Sequence, residues 1–103
     1  MTDISLLIKN AKEALYENEL VKEFFRLREL VLNNEEINEL SKEVKYHEKE
    51  MTTHMNNDEV YFKEKALYES YKNKLDNHPL MVDFNIISNE VYDLLLEVKS
   101  ILN

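Results

Sequence analysis

The sequence predicts an all-α fold, an antiparallel bundle of about five helices ending in a long C-terminal one. The first sign is the absence of glycine. Without it the chain has no low-cost route to positive φ, which excludes tight β-hairpins of the Asn-Gly or Gly-Xaa kind. The second is punctuation by asparagine. Asn18, Asn33-Asn34, Asn56-Asn57 and Asn77 fall between amphipathic stretches, where turns favour that side chain. The third is the last stretch, in which Leu80, Phe84, Ile87, Val91, Leu94, Val98 and Ile101 recur at alternating spacings of four and three. That period keeps one apolar line against a neighbouring helix for about six turns.

Each helix follows from its own residues. The first starts at Asp3, whose carboxylate can cap free N–H groups, carries Ile4, Leu7, Ile8, Ala11, Ala14 and Leu15 on one stripe, and ends near Asn18. The second runs from about Glu19 to Leu32. Leu20, Phe24, Leu27 and Val31 form one line and Val21, Phe25 and Leu32 another, a width that predicts burial over much of its circumference. Asn34 can cap the third helix, about Glu35 to Met55, with Glu35 and Glu36 in the favourable first turn. Its seam reads Ile37, Leu40, Val44, His47, Met51 and then His54 or Met55.

Asp58 is the expected cap of the fourth helix, about Glu59 to Leu75, which places Val60, Leu67, Tyr71 and Leu75 on one face. Asp76-Asn77-His78 then make a polar turn, and Pro79 opens the fifth helix where its missing N–H costs nothing. Short connections favour antiparallel neighbours. The third, fourth and fifth helices are expected to form a long hairpin or three-stranded arrangement, closed on its side by the first two. No repeat, low-complexity tract or flexible linker divides the 103 residues, so residues 1–103 read as one helical domain.

Composition narrows the function. Twenty-one acidic residues against thirteen basic ones leave a formal charge of −8. Such a surface repels nucleic-acid phosphates and anionic membranes. No apolar run approaches the roughly 20 residues of a spanning helix. The start lacks the pattern of a signal peptide, and with no cysteine the expected location is cytoplasmic. Glycine-rich phosphate loops and thiolate-held metals are unavailable. Ser5, Ser41, Ser70, Ser88 and Ser100 sit singly within helices, and the paired carboxylates lie in solvated, charge-rich stretches rather than apolar pockets. No catalytic residue and no cofactor is expected, and the chain does not read as an enzyme.

Histidines are the obvious place to seek chemistry. His47 and His54 share a face of the third helix with Glu50 nearby, a set from which a metal- or ligand-binding bundle could be built. Seven residues put the rings about 10 Å apart, too far to share one ion without a third helix. The preferred reading is that each covers the margin of a loosening seam. His78 reads as a turn or cap residue. A third alternative is an acidic inhibitor or antitoxin-like protein covering a basic partner.

One feature of the last helix points to a binding role. Val82, Ile86, Tyr92 and Leu96 lie away from its seam. A helix apolar on two faces is either enclosed or in contact with another chain, and a bundle of this size encloses little. These four residues are the candidate protein interface, for a homo-oligomer (a dimer) or for another protein.

The order of features resembles the YlbF/YmcA family of small helical bacterial proteins. The resemblance rests on AKEAL (Ala11–Leu15), on ENELVKEFFRLRELVLNNEE (Glu17–Glu36), and on the closing KLDNHPLMVDFNIISNEVYDLLLEVKSILN (Lys74–Asn103) with its Pro-containing turn. It implies an oligomerising helical protein without enzymatic activity, acting in competence, sporulation and biofilm formation. It also implies hetero-oligomers of paralogues that assist ribonuclease Y in mRNA maturation. Complexes of that family carry iron–sulfur clusters on cysteines; this chain has none, so that role does not carry over.

Overall fold

A computed structural model describes residues 3–102 and contains five helices and, among those residues, no strand. They are α1 (Ile4–Glu17), α2 (Glu19–Leu32), α3 (Glu35–Thr53), α4 (Asp58–Asp76) and α5 (Pro79–Leu102). The fold is all-α. No described residue has positive φ, which is how a glycine-free chain closes four connections.

Asparagine and aspartate side chains make those connections. Asp3 accepts the Ser5 N–H at 2.9 Å and caps α1. Asn18 serves two helices: its N–H donates to the Leu15 carbonyl at 3.1 Å, and its side chain accepts the Leu20 N–H at 2.8 Å. Its backbone is extended, with φ −65° and ψ 130°, so one residue ends α1 and starts α2. Asn34 caps α3 by accepting the Ile37 N–H at 2.9 Å, and the Asn38 amide reaches back to the Leu32 carbonyl at 3.2 Å. The cap of α4 is Asn57, which accepts the Val60 N–H at 3.3 Å. Asp58, the expected cap, is instead the first helical residue, where its charge faces the helix dipole. α3 stops at Thr53, two residues early. Thr52 and Thr53 turn their hydroxyls onto the carbonyls of Glu48 and Lys49, at 2.9 and 2.8 Å, and His54 closes the helix. At the start of α5 the His78 ring accepts the Leu80 N–H at 3.2 Å, a capping role.

The chain divides into two compact units. One spans Leu30–Val82 and is built on the α3–α4 hairpin. Its core is Ile37, Val44 and Leu75, with Val31, Leu40, Tyr68, Tyr71, Leu80 and Met81 packed against them. The link between His47 and Glu64, together with the gathering of Ile37 with Leu75, sets the two helices antiparallel. Leu80 and Met81, at the opening of α5, pack against this core.

The other unit holds the residues up to Glu29 and those from Asp83 onward. Here Val21 and Leu27 of α2 and Val91 of α5 are buried, and Phe24 stacks on Phe84 at 5.4 Å. Phe25 of α2 is exposed, against the expectation of burial around most of that helix, and so are Leu30 and Leu32 at its end, within the Leu30–Val82 unit. Two adjacent apolar lines span an arc wider than one neighbouring helix covers. No residue of α1 is buried. The α5 seam also runs out: Ile101 is 82% exposed.

Candidate functional site

α5 presents two opposite faces. At 100° per residue the seam of Phe84, Ile87, Val91, Leu94 and Val98 occupies one side, and Val82, Ile86, Tyr92 and Leu96 the other. The seam is buried or half-buried over that span. The four outer residues are between 40% and 61% exposed. Leu95, which the sequence did not single out, is exposed on the flank of the seam, beside Val91. Asn85, Asn89 and Asp93 lie among the four outer residues on this face, and α5 as a whole carries Asp83, Glu90, Asp93 and Glu97 against Lys99 alone. The result is a set of separate apolar side chains among polar and acidic ones, chemistry suited to a partner with apolar anchors and basic flanks.

The three histidines go elsewhere. His47, expected at a seam margin, is 8% exposed and belongs to the interior of the hairpin. Its Nδ1 lies 2.5 Å from the Glu64 carboxylate on α4, and its Nε2 lies 3.3 Å from Glu43 one turn back. The ring stacks on Tyr71 at 5.4 Å and 4°, with Tyr46 edge-on at 5.0 Å. Every polar edge of the imidazole is therefore occupied by carboxylate, which is what a buried ring requires. His54 faces Glu50 at 3.3 Å within α3, and His78 faces Glu36 at 3.3 Å. His47 and His54 are thus committed to different carboxylates. Among the described residues no group of three or more His, Asp or Glu side chains converges as metal ligands would.

One perturbed pair stands outside these clusters. On the exposed surface of α2, Arg26 hydrogen-bonds Glu23, which holds that carboxyl below its ordinary value; the same bond raises the Arg26 guanidinium above its own.

The unit that holds α1 contains hollows that the sequence did not reveal. A cleft of about 410 Å³ opens between α1 and the end of α5, walled by Leu7, Ala11, Ala14, Leu15, Leu94 and Val98 with Asn10, Asn18 and Ile101 at its edges. A second, of about 330 Å³, lies among Leu15, Tyr16, Val21, Phe24, Phe25, Val91 and Leu95, with Lys12 beside it. Helical periodicity tells which face of α1 is apolar; it is silent on how closely the next helix approaches.

Among the described residues no helix is long and apolar enough to cross a membrane. No curated protein and no solved structure matches the chain. A family model does, over residues 7–103, and it is the one described as control of the competence regulator ComK, YlbF/YmcA. The match takes in α2 to α5, most of α1, both faces of α5 and the carboxylate-clamped histidine, and the chain is a member of the YlbF/YmcA family of competence regulators.

Proposed function

We propose that this protein is a non-enzymatic cytoplasmic adaptor in competence control, docking other proteins on the outer face of α5. The partners that fit the family are paralogous small helical proteins and, through them, ribonuclease Y, which would link the chain to mRNA processing in competence, sporulation and biofilm formation. The observation that carries this reading is the exposure of Val82, Ile86, Tyr92 and Leu96 on the side of α5 opposite its seam. Burying an aliphatic side chain contributes about 1.5–3 kcal/mol, so a few such anchors support micromolar binding.

A tagged wild-type chain should recover homologous helical proteins or ribonuclease Y from host lysate. Leu96→Glu should lose them while keeping its helical circular dichroism, because Leu96 is exposed in the free chain. Equal recovery by both proteins would remove α5 from the docking role. Capture that tolerates raised salt would fit an apolar contact, whereas steep salt sensitivity would favour the acidic-inhibitor reading.

A further inference from the structure

We propose that the cleft of about 330 Å³ bounded by α1, α2 and α5, beside Lys12, is a binding site for a small aromatic carboxylate. Every residue that lines it belongs to the unit that holds α1, and none of the four outer residues of α5 takes part. The site therefore stands or falls apart from docking on that outer face.

Its volume suits a small molecule. At about 30 Å³ for each water-sized group, the cleft accommodates about eleven non-hydrogen atoms. Ligand pockets start at about 300 Å³, whereas a protein helix with its side chains is about 10 Å across and needs far more. Val21 and Val91, both buried, form a fixed apolar floor.

The walls favour a ring. Phe24 meets Phe25 edge-on at 5.4 Å and 71°, and Tyr16 lies near-parallel to Phe25 at 6.4 Å and 19°. Tyr16 is 65% exposed and Phe25 44%, so both keep ring surface that the chain itself does not cover. A flat ring stacked on or set edge-on to such a surface gains more than its buried area alone supplies. The neighbouring cleft of about 410 Å³ shares Leu15 but has neither an aromatic nor a charged side chain on its walls.

Charge sets the other end of the ligand. In a chain with twenty-one acidic residues, no carboxylate lines this cleft, and Lys12 is its single charged residue. The residues three and four positions from Lys12 on α1 are Ile8, Lys9, Leu15 and Tyr16, so none of these helical neighbours can neutralise it. Among the described residues Lys12 makes no ion pair. A lysine covers apolar surface with its stem and keeps its ammonium in water, which here puts a cation at the mouth of an apolar hollow. The complement is a molecule with a ring at one end and a carboxylate at the other. A cationic ligand would be repelled, and an uncharged ring would leave Lys12 unused.

The test is titration of the full-length protein with 3-phenylpropionate, followed by 1H–15N NMR. Saturable shifts should appear at Lys12, Leu15, Tyr16, Phe25 and Leu95 and not in the α3–α4 core, with a Kd of roughly a few millimolar or tighter. 3-Phenylpropionamide, the same shape without the charge, should bind about threefold more weakly at low salt, and high salt should erase the difference. 3-Cyclohexylpropionate, with a saturated ring, should bind at least about twofold more weakly than 3-phenylpropionate. Lys12 is exposed, so Lys12→Gln is compatible with folding. That variant should bring the carboxylate down to the affinity of the amide and leave the amide unchanged. Shifts that do not saturate, or that spread equally over both units, would overturn the proposal. So would equal affinity for carboxylate and amide, or for aromatic and saturated rings. If Lys12→Gln does not fold, the three ligands compared on the wild type decide alone.

Discussion

His47 is fixed by neighbours from two helices, and removing it should cost more than removing any other histidine. Glu64 reaches it from α4 and Glu43 from its own helix, while Tyr71 covers the ring. Replacing it with alanine opens a hole against Tyr71 and strands the mostly buried Glu64 carboxylate without its partner. His47→Ala should therefore lower unfolding free energy by about 2–4 kcal/mol. His54, half-exposed and paired only with Glu50, should lose less than about 1 kcal/mol on the same change. Urea unfolding of the two variants side by side checks the ranking, and equal losses would show that the clamp adds nothing. The heptad pattern of α3 placed His47 on the packing face correctly. It could not show how deeply the ring is buried, because Glu64 enters only through the register of α4 against α3, which a single helix does not encode. The caps were more legible because they are local: Asp3, Asn34 and His78 act where the chain order put them. Asn57 displaced Asp58 because either residue can cap and the choice turns on a single step of backbone.

At the scale of one helix, α2 shows how charge and apolar width compete. Its Glu23–Arg26 bond is exposed, and the lowered carboxyl of Glu23 gives it a definite pH signature. A carboxyl whose folded value lies below its unfolded one adds stability above the unfolded value, and that increment is lost as pH falls through the folded one. Glu23→Gln should therefore be slightly less stable than the wild type at neutral pH and indistinguishable from it in acid, below the carboxylate range. Thermal melts at both pH values check this, and a difference that persists in acid would assign the effect to packing. The two apolar lines of α2 were plain in the sequence, yet Phe25 and Leu32 remain exposed. Periodicity counts apolar positions; burial depends on how many neighbours arrive. The same limit applies to α5, whose seam was read residue by residue while the exposure of Ile101 was not.

Across the whole molecule, apolar burial is unevenly distributed. The α3–α4 unit gathers Ile37, Val44 and Leu75 into a core, with six further apolar side chains against it. The other unit leaves α1 without a buried residue beside a cleft of about 410 Å³. Cavity cost scales with how completely a side chain is surrounded, so equivalent truncations should not cost the same in the two units. Ile37→Ala, at 3% exposure, should lose about 2–4 kcal/mol at any protein concentration. Leu7→Ala removes a side chain that already borders open space and is itself half-exposed, so in dilute solution it should lose less than about 1 kcal/mol. Chemical unfolding of both variants in dilute solution measures this directly. A Leu7→Ala loss matching that of Ile37→Ala in dilute solution would mean that the α1 cleft is closed in solution and that Leu7 is surrounded as completely as Ile37.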